Sequence, residues 1–258
     1  MITKGVILAG GLGSRLSPLT NVINKHLLPI GDKPMIMHPI LNLSATGVKD
    51  VLLVVGGQNP GAFLELLGDG SHLGVRLYYA FQATPTGIPG ALAQAKTFTG
   101  DEQFVVILGD NVFERPLIRA VPGETGRTFF SSVFGKDRAE DKAAIFTSQV
   151  PNPFDYGVLY EEDGKHRIVE KPSHPPSGSP AVTGAYIYPN DVYQVISKLE
   201  PSGRGELEIT DVNNHYLSEG RMEIVPLGCD WHDCGASIEQ YQDVSRLLLS
   251  PQWKEGNA

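Results

Sequence analysis

The 258-residue sequence predicts an α/β fold with a mostly parallel central sheet that helices cover on both faces. Short apolar runs rich in Val, Ile and Leu predict strands at residues 4–8, 51–55, 75–81 and 103–108. Helical patterns alternate with these runs at residues 34–46, 60–68 and 90–97. The predicted ligand site is the rim of this sheet, where three segments that follow strands meet, at residues 9–25, 82–90 and 109–114.

The second half of the chain has a pattern of shorter elements. Strands are predicted at residues 143–149, 156–160, 166–169, 181–188 and 222–227, and helices at residues 190–198, 207–219 and 236–248. The segment KPSHPPSGSP, residues 171–180, predicts a loop, because proline lacks a ladder donor and glycine lacks a side chain to pack. No repeat or sharp change in composition divides the sequence, so residues 1–258 are predicted to form a single domain with an inserted or appended subregion.

Composition and charge exclude several classes of protein. The net charge of −8 argues against a nucleic-acid binder or a binder of anionic membranes, because both need a positive field. The two cysteines, Cys229 and Cys234, complete neither a zinc site nor a disulfide framework, so reduced thiols are expected. There is no signal-peptide core and no run of about 18 apolar residues, so the expected location is the cytoplasm.

The loop after the first strand is suited to a polyphosphate. Gly10, Gly11 and Gly13 let the backbone turn sharply and bring its amides close to an anion. Arg15 and Lys25 add a guanidinium fork and a flexible ammonium that can converge on phosphate oxygens. Neither the P-loop pattern nor the dinucleotide fingerprint G-x-G-x-x-G occurs here at its required spacing. The alternative is a tight strand–loop connection without a ligand.

The segment after the third strand is suited to a nucleobase. Gln82 carries a donor and an acceptor in one plane, as the edge of a pyrimidine requires, and Gly87 lets the backbone approach closely. The alternative is a surface turn before a helix.

Two aspartates are candidate ligands of a divalent cation. Asp110 follows the fourth apolar strand, where a carboxylate can hold Mg²⁺ while the ion bridges phosphates. Asp233, in the segment WHDCG before the last helix, is the second candidate. The alternatives are that Asp110 starts a turn and that Asp233 lies near a helix N-cap.

Several residues of the second half could form a sugar-phosphate pocket. Carboxylates accept from sugar hydroxyls, cations pair with a phosphate, and glycines leave room for a ring. The candidates are Tyr156, Gly157, Glu170, Lys171 and Thr183. Arg204 lies just outside a predicted helix whose first turn is acidic, so we expect its guanidinium to be free to meet an anion.

The chain resembles the sugar-1-phosphate nucleotidyltransferase family in a series of segments that occur in the same order: GGLGSRLSPLT, NKHLLPIGDKPMI, LGDN, YGV, EKP, VTGAYIY, GELEITDVNN and WHDCG. It is most similar to the branch that converts dTTP and glucose 1-phosphate into dTDP-glucose and pyrophosphate. The resemblance implies Mg²⁺, a homo-oligomer (dimer or tetramer) and a Rossmann-like nucleotide-binding core with a mixed, mostly parallel sheet, the nucleotide-diphospho-sugar transferase fold. Residues 1–120 would mainly bind the nucleotide and residues 143–245 the sugar phosphate.

The resemblance also implies residue roles. Arg15 is the residue that activates the pyrophosphate and Lys25 lies near the α-phosphate, while Asp110 and Asp233 are the metal ligands. The implied nucleotide-binding residues are Leu8, Gly10, Gly11, Gly13, Gln82, Gly87 and Asp110, and the implied sugar-phosphate-binding residues are Tyr156, Gly157, Glu170, Lys171, Thr183 and Arg204. The implied reaction is in-line attack of the sugar phosphate on the α-phosphorus, with no general base, because the nucleophile is already an anion.

The sequence departs from the family pattern beside the predicted base. Pro89-Gly90 follows Gly87-Ile88 where Ala-Gln is usual, which leaves UTP or CTP as alternative nucleotides. Another sugar 1-phosphate is a further alternative. Residues 127–141 are expected to form an extra hairpin or loop. The alternative outside enzymes is a non-catalytic nucleotide-sugar sensor, which would not need both cations and both aspartates.

Overall fold

The computed structural model describes residues 2–117, 142–251 and 253. The strands in these residues are β1 (Lys4–Ala9), β2 (Pro29–Ile30), β3 (Lys33–Pro34), β4 (Asp50–Gly56), β5 (Arg76–Gln82), β6 (Phe104–Leu108), β7 (Asn111–Phe113), β8 (Ala143–Ser148), β9 (Gly157–Glu162), β10 (Lys165–Glu170), β11 (Ala181–Tyr188), β12 (Met222–Pro226) and β13 (Trp231–Asp233). The α-helices are α1 (Met37–Thr46), α2 (Gly61–Leu67), α3 (Gly87–Ala93), α4 (Lys96–Thr99), α5 (Val192–Ile196), α6 (Ile209–Ser218) and α7 (Ile238–Leu249).

A mixed sheet forms the centre of the molecule. Its path is β10-β9-β11-β6-β1-β4-β5, and β8 joins it beside β11, with β12 paired to β8. The four strands of the first half, β6, β1, β4 and β5, are all parallel, and β11 runs antiparallel to β6. The first half therefore supplies a parallel core whose strands all end at one rim, and the second half continues the sheet in mixed directions.

Each face of the sheet is covered by helices, which explains the continuous apolar strands. Side chains alternate between the two faces of a strand, and both sets are buried here. On one face Ile7 and Ile107 belong to a core that includes apolar residues of α1 and α2. On the opposite face Val6 and Val106 belong to a core that includes apolar residues of α3, α5 and α6.

A separate two-stranded sheet lies next to the rim. Strands β7 and β13 pair antiparallel, with Asp233 opposite Asn111. A third apolar cluster holds β7 and β13 against α7 and the β2–β3 hairpin, and its buried members are Ile30, Met35, Val112, Cys234, Val244 and Leu248. This cluster fixes a segment near the C-terminus beside the end of β6.

The predicted mixed, mostly parallel sheet flanked by helices is confirmed. The helix predicted at residues 90–97 is wrong in its bounds, because α3 starts at Gly87 and the chain begins a second helix at Lys96. Pro89 is tolerated because it lies in the first turn, where no intrahelical donor is needed.

The hairpin or loop expected at residues 127–141 lies outside the described residues. In the described part of the chain, no helix combines the length and the apolar character needed to span a bilayer.

Candidate active site

A cavity of about 420 Å³ opens at the rim where β1, β5 and β6 end. Fifteen of the sixteen residues singled out in the sequence line it: Leu8, Gly10, Gly11, Gly13, Arg15, Lys25, Gln82, Gly87, Asp110, Tyr156, Gly157, Glu170, Lys171, Thr183 and Asp233. The sixteenth, Arg204, does not. Segments from both halves of the chain thus meet around one space.

The loop after β1 folds over Lys25. Gly13 has a φ of 70°, and a Cβ there would lie 2.9 Å from the Cβ of Lys25, so both the backbone and the space require glycine. The Thr20 hydroxyl donates to the Gly13 carbonyl at 2.8 Å and holds this turn. Arg15 is exposed along the cavity, and no ion pair joins it to another described residue.

Lys25 and Asp110 form a buried ion pair at the base of the cavity. The ammonium of Lys25 donates to Asp110 Oδ2, and each side chain is 10% exposed. The Asn111 amide donates to the other carboxylate oxygen at 3.0 Å. Burial alone would raise the pKa of Asp110, but the charge of Lys25 and these hydrogen bonds hold it well below its usual range. Asp110 is therefore ionised at neutral pH.

Asp233 is the second carboxylate at this point. The pairing of β7 with β13 brings it next to Asp110, since the Cys234 amide donates to the Asp110 carbonyl at 2.9 Å. Burial, and then the negative charge of Asp110, raise the pKa of Asp233 to about 6. Asp233 is the last residue of β13, and the N-cap of α7 is Ser237, so Asp233 is not a helix N-cap.

The two aspartates fit a magnesium ion that is also bound by a substrate. Mg²⁺ typically takes one or two protein carboxylates and fills its other positions with phosphate oxygens and water. No group of three or more His, Cys, Asp or Glu side chains suited to a metal occurs among the described residues, so the protein does not supply a complete shell there. A Cβ on Gly235 would lie 2.5 Å from Asp110 Oδ2 and 2.9 Å from Lys25 Nζ, so glycine here makes room for this ion pair.

Gln82 lies at the end of β5 with 6% of its surface exposed. A Cβ on Gly10 would lie 2.5 Å from its Oε1, so Gly10 allows the carboxamide to reach the cavity. Gly87 has a φ of 86°, and a Cβ there would lie 2.1 Å from the carbonyl oxygen of Leu207. Position 87 therefore requires glycine for the contact between the two halves of the site.

The opposite wall contains the predicted sugar residues. Glu170 Oε2 accepts from the Thr210 hydroxyl at 2.6 Å, and Lys171 has a φ of 44°, which is unusual for a residue with a side chain.

The expectation that Arg204 is free to meet an anion is not met in this structure. Its guanidinium donates to Glu208 Oε2 at 2.7 Å and to Glu170 Oε1 at 3.3 Å, because Glu208, expected to stabilise the helix, and Glu170, expected to meet the sugar, both face Arg204.

Sequence reasoning missed the role of Asn111 as a connector. Its Oδ1 accepts from the Trp231 indole at 2.6 Å and from the Gly184 amide at 2.9 Å. It therefore joins the carboxylate of Asp110 to β11 and β13. His26 was also missed, although it lines the cavity beside Lys25, and burial lowers its pKa to about 3, so the ring is neutral. Both residues lie in segments that carry the family resemblance, Asn111 in LGDN and His26 in NKHLLPIGDKPMI.

Comparisons with known proteins agree on one family. The family model described as nucleotidyl transferase matches residues 4–250. A glucose-1-phosphate thymidylyltransferase of Neisseria meningitidis is 37% identical, over 98% of this chain and 90% of its own length. A protein of the same name from Mycobacterium tuberculosis is 39% identical, over 98% of this chain and 84% of its own length.

Solved structures give the same result. A protein from Bacillus anthracis assigned as a glucose-1-phosphate thymidylyltransferase, crystallised with a sucrose, superposes with a TM-score of 0.82 at 37% identity and covers 97% of this chain and 98% of its own. A UDP-glucose pyrophosphorylase complexed with UDP-glucose has a TM-score of 0.78 at 25% identity and covers 99% of this chain and 100% of its own.

Proposed function

The chain belongs to the nucleotidyl transferase family, and from this premise we propose that it transfers the thymidylyl group of dTTP to glucose 1-phosphate, giving dTDP-glucose and pyrophosphate. The observation that carries the proposal is the single cavity in which the glycine loop, two cations, a carboxylate pair and the sugar-side residues meet. Transfer of a nucleotidyl group to a sugar phosphate needs both substrates in one space, because the attacking oxygen and the α-phosphorus must be brought into line.

The nucleotide would occupy the side formed by the first half of the chain. Gln82 and Gly87 are proposed to meet the base, and the backbone of Gly10, Gly11 and Gly13 to face the phosphates. The sugar phosphate would lie on the side formed by Tyr156, Gly157, Glu170, Lys171 and Thr183. Arg204 would join them only by leaving its carboxylate partners for the phosphate.

Charge neutralisation and positioning would supply the rate enhancement. The phosphate monoester is an anionic nucleophile at neutral pH, so its oxygen attacks the α-phosphorus in line and no side chain needs to remove a proton. Lys25 is proposed to neutralise charge near the α-phosphate and Arg15 to stabilise the leaving pyrophosphate. Lys25 is held before the substrate arrives, by Asp110 and by the loop around it.

Magnesium would be held by Asp110 and Asp233. When bound, Mg²⁺ neutralises charge on the triphosphate and so favours attack by a second anion. This chain's own contribution is to keep Asp110 ionised through Lys25 and to hold Asp233 opposite Asn111 on paired strands.

UTP is a second candidate nucleotide. Thymine and uracil present the same pairing edge, so Gln82 would bind either, and one structural neighbour is a UDP-glucose pyrophosphorylase complexed with UDP-glucose.

Nucleoside triphosphates are made in the cytoplasm, where we propose that the enzyme acts. The homo-oligomer implied by the family resemblance stays a prediction, which light scattering of the purified chain would test.

The test is pyrophosphate release from a panel of dTTP, UTP, dCTP and CTP against several sugar 1-phosphates, with and without Mg²⁺. The proposal predicts Mg²⁺-dependent release that requires both substrates and is fastest with dTTP and glucose 1-phosphate. Fastest release with UTP would favour the second candidate. No release with any pair, together with nucleotide-sugar binding, would identify a sensor and contradict the proposal.

A further inference from the structure

The carboxamide of Gln82 is held from two sides. Its oxygen faces Gly10, where a Cβ would lie only 2.5 Å away. Its nitrogen donates to the hydroxyl of Thr86 at 3.4 Å. One N–H is therefore used within the protein, and the second N–H and the oxygen lone pairs are the groups that the amide can offer to a ligand.

Thr86 itself is anchored by the segment that precedes α6. Its carbonyl accepts from the Leu207 amide at 3.1 Å, and the next residue, Gly87, forms a bridge with Leu207. The backbone from which the Thr86 hydroxyl projects is thus fixed by a segment more than 100 residues away in the sequence. An exposed loop residue acquires a defined side-chain position in this way.

Gly90 provides the space for that side-chain position. A Cβ on Gly90 would lie 1.9 Å from the Thr86 Oγ1 and 2.9 Å from the Thr86 Cβ. Gly90 does not have a positive φ, so the backbone does not need glycine here. Glycine inside a helix is unfavourable relative to alanine, so the room for Thr86 is the structural reason for glycine at this position.

We infer that Thr86 is a positioning residue that holds the Gln82 carboxamide in place, that Gly90 makes this possible, and that the two together tighten the binding of the nucleotide. The inference rests on the proposed function, in which Gln82 meets the base. The hydroxyl of Thr86 can accept from the amide nitrogen or donate to the amide oxygen, so its contribution is to limit the movement of the carboxamide. A carboxamide that is already held loses less conformational freedom when the base binds, which lowers the KM for the nucleotide.

The first experiment compares KM and kcat for dTTP, with glucose 1-phosphate saturating, in the unmodified enzyme and in Thr86→Val. The valine keeps the shape and removes the hydroxyl. The KM for dTTP is expected to rise about fivefold, the scale of one neutral hydrogen bond, with little change in kcat. Thr86→Ser restores the KM. Thr84→Val, the same substitution at another exposed threonine of this loop, leaves it unchanged.

The second experiment is a double-mutant cycle between Gly90→Ala and Thr86→Ala. In the unmodified background Gly90→Ala pushes the hydroxyl away from Gln82 and raises the same KM. In the Thr86→Ala background there is no hydroxyl to displace, although the Cβ of residue 86 still lies 2.9 Å from the new methyl group, so Gly90→Ala raises the KM less. Circular dichroism and thermal melting of each variant establish that the compared proteins are folded.

An unchanged KM for dTTP in folded Thr86→Val, or additive effects in the cycle, would overturn the inference while leaving the proposed function intact. Absence of turnover in the unmodified enzyme with every nucleotide and sugar phosphate would overturn the proposed function, and this inference with it.

Discussion

Replacing Asp110 by asparagine tests the buried charge pair that organises the site. The substitution keeps the size and planarity of the side chain, and the Asn111 amide still has an oxygen to donate to. It removes the charge that balances Lys25, whose side chain is only 10% exposed. Removing one partner of a buried ion pair costs about 3–5 kcal/mol, because the remaining charge stays desolvated.

Asp233 reduces this cost, because it is a second carboxylate close enough for Lys25 to lower its pKa. We therefore expect Asp110→Asn to lower the free energy of unfolding by about 3 kcal/mol, the lower end of that range. Turnover falls by about 100-fold or more, the scale observed when one preorganised charge is removed from an active site.

The assay for Asp110→Asn combines urea unfolding, followed by circular dichroism, with pyrophosphate release at saturating substrates. Asp101→Asn is the matched control, because it makes the same charge change in an exposed turn outside the cavity lining. Unchanged turnover in the folded Asp110→Asn protein would refute the catalytic role of this carboxylate. Loss of turnover without any loss of stability would refute the argument that its charge balances Lys25.

Three further predictions concern other parts of the molecule. Arg15→Ala lowers turnover about 100-fold or more while the urea midpoint stays the same, because Arg15 is exposed; normal pyrophosphate release would contradict this. Gly87→Ala lowers the free energy of unfolding by about 2 kcal/mol, since its φ is 86° and the new methyl meets the Leu207 carbonyl; Gly61→Ala, where a Cβ meets nothing within 4 Å, is the control. Burial lowers the pKa of His38 to about 4, so folding favours the neutral ring. The contribution of His38 to the free energy of unfolding is therefore fully present above pH 6.5 and is lost as the pH falls towards 4. The loss is about 3 kcal/mol, and His38→Gln gives a flatter plot of unfolding free energy against pH; equal slopes would contradict it.

The parallel core was predictable because its strands are continuous apolar runs. Both faces of β1 and β6 are buried, so residues such as Val6 and Ile7 are apolar in succession, and the strand could be recognised without knowledge of its neighbours. The pairing of β7 with β13 was not predictable. Each strand has three residues, which is too short for a period of two, and they lie more than 100 residues apart.

The residues of the site divide in the same way, into those recognised from a local pattern and those that depend on contacts between distant segments. Gly13 and Lys25 were recognisable because a glycine-rich turn after a strand, followed by Arg15 and Lys25, is a combination suited to a polyphosphate. The contact of Arg204 with Glu208 is a local pair four residues apart, whereas its contact with Glu170 depends on how distant segments meet in space and was not predictable from the sequence. Thr86 looked like an ordinary turn residue, and only its hydrogen bonds show that it joins Gln82 to the segment before α6.

The central claim is that one cavity holds both substrates so that the sugar phosphate displaces pyrophosphate directly. The most direct test is the stereochemistry at the α-phosphorus, measured with a single diastereomer of dTTP that carries sulfur on that phosphate. A single in-line displacement predicts a thio-substituted dTDP-glucose of inverted configuration. Retained configuration, which requires two displacements through a nucleotidyl-enzyme intermediate, would contradict the account.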